Sequence, residues 1–363
     1  LPNIDEALFA IEKFESFYGS PEALRQSLPP EERDMNIIEL WECYRDEKLK
    51  STAIDFSDMI SLCIRLLSES QDILEAYRQR YKHILIDEYQ DTNIPQYKLS
   101  RLLAGKNHNL FIVGDDDQSI YRFRGADVGN ILNFKRDYPN SSIIKLEINY
   151  RSAVHILALA NNIFKSKPHD LRKTLRVNED NSHPLFVEPE KIRIFRGKDT
   201  REEMEYIKQE MGRVMKFHGF NYSDFAILYR VNRQGDDIRH YLENYKIPWG
   251  EGGVVLSTLH GAKGLQYPVV FFVGMEERIC PSYPRGKVGE QEFRACMDEE
   301  QRLFYVGVTR AQYMLYLTSL RKRMWYGREK RFEESRFLKL VPNNILYKRS
   351  FKSKLLEILL EEA

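Results

Sequence analysis

Apolar and polar positions follow two different rhythms along the chain. From residue 3 to 79 the apolar positions recur at helical spacing. Ile4, Leu8, Ile11 and Tyr18 form one stripe, opened by a capping-box-like Asn3 and Glu6 and stopped at Gly19. A polar loop with Pro29-Pro30 follows, and two more helical stretches are predicted near 34–50 and 55–79. From 81 onward, short runs of Ile, Val, Leu and Phe replace the stripe. They predict strands at 82–87, 109–114, 142–147, 191–196, 225–229, 254–259, 269–274 and 313–318, alternating with helices. Runs without polar alternation are what a parallel sheet covered on both faces requires. Eight strands exceed one small domain, so a boundary near 145–150 divides them into two α/β units. Gly250-Glu251-Gly252-Gly253 forms a weak joint running straight into Val254-Val255-Leu256. No internal repeat or low-complexity segment interrupts the pattern.

Composition narrows the class. With 363 residues, 42% of them hydrophobic and 30% charged, the chain has material for two to three domains with real cores. It contains no apolar run of membrane-spanning length and no signal-peptide pattern. Cys43, Cys63, Cys280 and Cys296 lack metal-ligand spacing, which predicts reduced thiols and an intracellular protein. A first residue of Leu rather than Met predicts a fragment or processed product. The net charge of +1 hides an asymmetry: residues 1–50 carry twelve acids against six bases, while residues 321–354 carry twelve bases against three acids. Trp325, Tyr326 and Phe332 lie among those bases and turn the reading from a solvated tail toward a nucleic-acid surface.

Candidate chemistry clusters at the predicted strand ends. Ile84-Leu85-Ile86 runs into Asp87-Glu88-Tyr89-Gln90-Asp91. In open α/β sheets chemistry sits beyond the carboxyl ends of strands. There one carboxylate can hold Mg²⁺ while its neighbour orients or deprotonates an attacking water, the Walker B half of a nucleotide-hydrolysis site. An acidic strand end facing solvent is the plainer alternative for that pair alone. The second strand runs into Gly114-Asp115-Asp116-Asp117-Gln118, where a polar Gln can bond a γ-phosphate or its water. Tyr121 and Phe123, interleaved with Arg122 and Arg124, offer stacking surfaces beside cations, or else ordinary core rings. Asn149-Tyr150-Arg151 sets an aromatic beside an arginine. The stretch Ser257 to Tyr267, with His260, Gly261, Lys263 and Gly264, lets backbone approach a phosphate or a nucleic-acid strand. The stretch Glu299 to Val306 predicts a helix whose far end presents Arg310, a candidate clamp on a transferring phosphoryl group.

The ordered set is more specific than any member, and it resembles the UvrD/Rep-type superfamily 1 DNA helicases. Ile86–Asn93 resembles helicase motif II, Gly114–Ala126 motif III, Asn149–Ser152 motif IV, Thr258–Tyr267 motif V and Arg302–Ala311 motif VI. Ser335-Arg336-Phe337-Leu338 resembles the close of that family's domain 2A. The resemblance implies an α/β fold of two RecA-like parallel-sheet domains, the first incomplete, with an N-terminal helical subdomain. Residues 1–79 would be the 1B-like helices, 80–147 a partial domain 1A, 148–342 domain 2A with subdomain 2B absent at about 253, and 343–363 a basic tail. It implies ATP and Mg²⁺ as cofactors: Asp87 serving the metal, Glu88 the water, and Gln118, Arg151 and Arg310 the γ-phosphate. Tyr150 would stack on adenine, and Gln266 would meet the ribose. Tyr121, Phe123, Arg124, His260, Lys263 and Tyr326 would line the path of single-stranded DNA. It further implies 3′ to 5′ movement as a cleft between the RecA-like domains opens and closes with ATP. The expected partners are single strands and single/double-strand junctions. The expected place is the DNA of the cytoplasm, or the nucleus in a eukaryotic host.

The chain departs from that family's pattern in several places. No Gly-x-x-x-x-Gly-Lys-Ser/Thr occurs in the 363 residues, so the phosphates lack a backbone cradle and its lysine. Gln266 stands where the family has Glu, and Ile148 where it has Gln. Two readings follow: an incomplete piece of an ATP-dependent helicase, inactive as ATPase by itself, or an ATPase-silent DNA-binding or scaffold relative.

Overall fold

The computed structural model of the chain describes residues 7–347 except 9, 13, 16–18, 28–34, 106–108, 168, 170, 179, 181–182, 188, 285, 287 and 326. It divides into two units, Leu1–Ile143 and Ile144–Ala363. No helix among the described residues is long and apolar enough to cross a membrane.

The first unit begins with α1 (Pro21–Ser27) and α2 (Met35–Lys50), which bury Leu24, Ile38 and Trp41 together with Ile11. The Trp41 indole donates to Glu15 at 2.9 Å. Helix α3 (Phe56–Glu69) starts at a reciprocal capping box, in which Asp55 accepts the Asp58 N–H and Asp58 accepts that of Asp55. The helix expected over 55–79 is in fact two, because the chain turns extended at Ser70 before α4 (Gln71–Arg80). Strand β1 (Ile84–Ile86) then pairs in parallel with β2 (Leu110–Ile112), joined by α5 (Ile94–Ala104). Asn93 and Gln96 cap α5 reciprocally. Those two strands make the whole sheet of this unit among the described residues. Its outer face is bare: Leu85 is 71% and Phe111 59% exposed.

The second unit opens with β3 (Ile148–Asn149), paired in parallel to β4 (Arg176–Val177), and α6 (Val154–Ile163). The strand expected at 142–147 does not form. Ile143, Ile144 and Leu146 are apolar enough, but no neighbouring strand pairs with them, and an extended run becomes a strand only by pairing. The main sheet is five-stranded and wholly parallel, in the order β5-β9-β8-β6-β7. These strands are β5 (Arg193–Gly197), β6 (Phe225–Tyr229), β7 (Val255–Thr258), β8 (Tyr267–Phe272) and β9 (Ala311–Leu320). Crossovers run through α7 (Thr200–His218), α8 (Asn232–Asn244) and α9 (Glu290–Val308). Phe225, Ile227, Val269, Phe271 and Tyr316 of the sheet pack on Met204, Ile207, Ile238 and Leu242 of the helices. A hairpin, β10 (Lys322–Trp325) and β11 (Arg328–Arg331), follows β9 and was not expected as strands.

The joint between α8 and β7 is a closed turn. Gly250 and Gly252 adopt positive φ, and a Cβ on Gly253 would lie 2.5 Å from the Pro248 carbonyl. The glycine-rich spacing therefore encodes a tight reversal that side chains would block.

Candidate functional site

The first unit builds its site on the turn that leaves β1. Asp87 and Glu88 are both exposed, one and two residues past the strand. Glu88 has φ 51° and ψ 40°, a left-handed conformation that costs a non-glycine residue about 1–2 kcal/mol. Such strain persists where surroundings over-determine it, often at functional sites. Here the surroundings are visible. The Asp87 carboxylate accepts the Glu88 N–H at 2.9 Å. The fully buried Gln90 donates from its amide to the Glu88 carboxylate at 2.5 Å and to Asp91 at 3.1 Å. The Gln90 side-chain oxygen accepts the Asp115 N–H at 2.9 Å, and its main-chain carbonyl accepts the Ser119 hydroxyl. Gln118 in turn donates to the Asp115 carboxylate at 2.7 Å. One buried amide thus ties the turn after β1 to the turn after β2, and Glu88 to Gln118 through Asp115. Gly114 makes room for it, since a Cβ there would lie 2.6 Å from the Gln90 oxygen.

Beyond that turn, Tyr121 and Phe123 tilt against each other at 6.0 Å, and the Arg124 guanidinium lies 5.4 and 5.5 Å from their rings. Phe123 is 40% exposed, so it is not a core ring. Burial raises the Tyr121 phenol above its ordinary value and the nearby Asp91 carboxylate adds to the rise, keeping it neutral.

In the second unit the candidates lie on the segments flanking strands: Tyr150 and Arg151 follow β3, His260 and Lys263 follow β7, and Gln266 and Arg310 directly precede β8 and β9. Asn149 closes β3 by accepting the N–H groups of Arg151 and Ser152 at 2.9 and 2.8 Å. The Ser152 hydroxyl donates to the Ala311 carbonyl at 2.7 Å, and the Ala153 N–H to that of Gln312. These bonds fasten Ser152 and Ala153, the residues after Arg151, to the start of β9, the strand that Arg310 precedes. Tyr150 stays 70% exposed. The loop after β7 turns on Thr258, which accepts the Gly261 N–H. It holds His260 and Lys263 half-buried and leaves Gln266 exposed. The Tyr267 N–H donates to the Arg310 carbonyl at 2.8 Å, so Gln266 and Arg310 are neighbours.

Arg310 does follow the end of α9, as its sequence position predicts. It is only 1% exposed, however, and lies turned inward rather than presented. Its guanidinium donates to the main-chain carbonyls of Val306 and Leu265, both at 2.9 Å, and to the Thr309 hydroxyl at 3.0 Å. Tyr326 lies outside the described residues.

Sequence reasoning missed Gln90, Asp115 and Asn149 as organisers of these turns. Each is a short polar residue beside a motif, and nothing in spacing alone announces that its side chain is turned into the backbone. For a metal, oxygen donors suit a hard cation. Asp87 fits that chemistry: one oxygen is bonded to the Glu88 N–H and the other has no partner among the described residues.

Most of the chain is similar to known proteins. Residues 4–139 match the family model described as "UvrD/REP helicase N-terminal domain". Residues 144–251 and 250–322 match "UvrD-like helicase C-terminal domain", in two stretches that meet at the glycine-rich turn. The chain is similar to the ATP-dependent DNA helicase PcrA of Bacillus subtilis (strain 168), 26% identical over 490 aligned positions covering 86% of this chain and 65% of that protein. It is 27% identical to PcrA of Staphylococcus aureus (strain Mu50 / ATCC 700699) over the same shares. PcrA of Leuconostoc citreum is 36% identical over 217 residues, 60% of this chain and 28% of that one. The chain therefore spans 65% of the length of the first two relatives. An alignment of 490 positions that takes in 86% of 363 residues also means that the Bacillus relative carries a long stretch with no counterpart here.

Proposed function

The chain belongs to the UvrD/REP-type helicase family, and on that premise we propose that it is the core of an ATP-dependent motor moving 3′ to 5′ along single-stranded DNA. The observation that carries this reading is the turn after β1. A strained Glu88, held by a buried Gln90 that also organises the turn bearing Gln118, is a costly arrangement that fixes two exposed carboxylates beyond a strand end.

Asp87 would hold Mg²⁺, which when bound neutralises charge on phosphate oxygens. Glu88 accepts a proton from the attacking water, and Gln118 positions that water. Arg151 and Arg310 meet phosphate charge from the second unit, Tyr150 stacks on adenine, and Gln266 contacts the ribose as a neutral group. Arg310 must leave the Leu265 carbonyl to do so. Tyr121, Phe123 and Arg124 of the first unit, and His260 and Lys263 of the second, contact the DNA strand.

Within these 363 residues no Gly-Lys-Ser/Thr loop cradles the phosphates, so this much of the motor should bind single strands without turning over ATP. Titrating labelled single-stranded DNA while following phosphate release tests both halves. Salt-sensitive binding with no DNA-stimulated hydrolysis is expected. Turnover at about 1 s⁻¹ or faster, an ordinary kinase-like rate, would refute the incomplete-motor reading. Attaching a segment that carries such a loop distinguishes the motor from an ATPase-silent relative: hydrolysis that appears, and that Glu88→Gln abolishes, supports the motor.

A further inference from the structure

Beyond the end of β8 the second unit carries a cleft of about 610 Å³, and none of the nucleotide or single-strand residues named above lines it. That volume falls within the range of small-ligand sites. One side is the segment after β8. There Glu276 bridges Glu334, the Glu277 N–H donates to the Glu333 carbonyl at 3.0 Å, and the Ser335 N–H donates to the Met275 carbonyl at 2.9 Å. Another side is β11, through Lys330 and Arg331. The two sides are locked together underneath. Arg323 of β10 is buried and donates to Glu276 and Glu203 at 3.2 Å, and Glu276 also accepts the Leu320 N–H at 2.7 Å. The cleft is therefore fixed before any ligand arrives, which lowers the cost of binding.

Five cations and three carboxylates line it. Two of the carboxylates are already engaged. Glu277 accepts from Arg336 at 3.0 Å and from the Tyr283 hydroxyl at 2.7 Å, and Glu334 pairs with Arg196 at 3.5 Å. That leaves Arg278, Lys330, Arg331 and Lys339 against Glu333. These four cations are exposed and have no carboxylate partner among the described residues.

Arg278 carries the second observation. Its φ is 72°, and only Thr52, Glu88 and Lys246 share a positive φ among the described non-glycine residues. The conformation itself belongs to the turn, in which the Ile279 and Cys280 N–H groups both donate to the Glu276 carbonyl and both side chains are buried. A turn of this kind suits glycine, which adopts the left-handed region freely. It does not call for an arginine, which adopts that region at a cost. Strain of this sort points to a use for the side chain.

The lining rings decide what the ligand lacks. Tyr283 is engaged by two guanidinium groups, Arg278 and Arg336, each 5.6 Å from its ring. Phe332 is buried, with Trp325 edge-on at 5.9 Å and the Lys330 ammonium at 5.4 Å. No ring is open for a base to stack on, so recognition rests on charge. Guanidinium forks and ammonium groups around a concave site match the oxygens of linked phosphates.

We propose that this cleft binds a short phosphate chain, an inorganic di- or triphosphate, through Arg278, Lys330, Arg331 and Lys339. The proposal is independent of the motor reading. A bound chain would tie the turn after β8 to the hairpin and so stabilise the second unit.

The test titrates inorganic triphosphate into the full chain by calorimetry at fixed ionic strength, with melting followed in parallel. Saturable binding and a rise in melting temperature are expected, because a ligand that binds only the folded state stabilises it. Orthophosphate, meeting fewer cations, should bind more weakly. Arg278→Gly should weaken triphosphate binding about tenfold or more, the loss of one charge-assisted contact. Its melting temperature without ligand should hold or rise, since relief of the left-handed strain offsets the greater freedom of glycine in the unfolded chain. The exposed pair Arg331→Ala/Lys339→Ala should lose binding at least as far, and it decides the matter if Arg278→Gly melts lower. Absence of saturable binding at millimolar triphosphate overturns the proposal. So does binding that survives both variants, or that Arg151→Ala abolishes, which would place the anion with the nucleotide residues. Duplex or single-strand affinity falling in Arg278→Gly as far as triphosphate affinity would make the cleft part of a DNA surface and overturn it as well. Equal affinity for orthophosphate and triphosphate would overturn the phosphate chain as its ligand.

Discussion

The two sheets of this chain are built to different standards. The second unit's five parallel strands are covered by helices, and Phe225, Ile227, Val269 and Phe271 are completely buried. The first unit's sheet has two short strands, with Leu85 and Phe111 left largely in solvent. Parallel sheets are ordinarily covered on both faces, so the second unit meets the rule and the first does not. The candidate residues divide the same way. Asp87, Glu88 and Phe123 stand exposed on turns beyond strand ends, whereas Arg310 is wired into the interior at the start of β9. Chemistry and stability are therefore separable in the first unit and entangled in the second.

The largest effect should come from the second core. Phe271→Ala should cost about 3–5 kcal/mol in urea unfolding, whereas Phe111→Ala, its counterpart on the bare sheet, should cost less than about 1 kcal/mol. Equal costs would erase the contrast between the sheets and mean that the Phe111 face is covered in solution. Next, Arg310→Ala should lower the stability of the second unit by about 1–3 kcal/mol, because it leaves the Val306 and Leu265 carbonyls without donors. Glu88→Gln should leave the first unit's melting nearly unchanged, its carboxylate being exposed. A neutral Arg310→Ala would break the claim of entanglement.

A comparable but purely functional loss is expected at Phe123. Truncation to Ala should cost about 1–3 kcal/mol of single-strand affinity, read by anisotropy, with little change in melting. A large fall in melting temperature at constant affinity would return the ring to a structural role.

The smallest effect is a pH dependence lodged in the second unit. Burial raises the Glu276 carboxyl above its ordinary 4.5, with Arg323 opposing and Glu203 adding to the rise. A carboxyl raised on folding contributes stability that is full below pH 4.5 and lost as pH rises through the folded value. The urea midpoint of the second unit should therefore decline on going from acid toward neutral pH, and the decline should flatten in Glu276→Gln. An unaltered slope in that variant would detach Glu276 from the effect.

Much of this organisation was legible in the chain. The helices near 35–50 and from 56 on, the alternation of strands and helices after 81, and the carboxylates beyond Ile86 all follow from local spacing, whereas Asn3, Ile4, Glu6 and Tyr18 of the first stripe lie outside the described residues. The glycine turn at 250–253 follows from local spacing too, since only that composition permits the reversal. The exceptions are physically alike. The apolar run at 142–147 lacks a partner strand, and the polar, basic sequence of β10–β11 gains one. Strand formation is a property of pairs, and a single sequence shows only one member at a time.

The same distinction separates what the sequence determined from what tertiary structure decided. Residue order alone determined which side chains follow which elements, because backbone state depends on neighbours a few positions away. Burial and hydrogen-bond partners depend on residues far apart. Ser152 reaches Ala311 across 159 positions, and Gln90 reaches Asp115 across 25. Bonds of the same long reach turned Arg310 inward and buried Arg323 between two carboxylates, and Gln90, fixed by Asp115, holds the Glu88 carboxylate. Each exchanges solvation for a partner that exists only once the chain has folded.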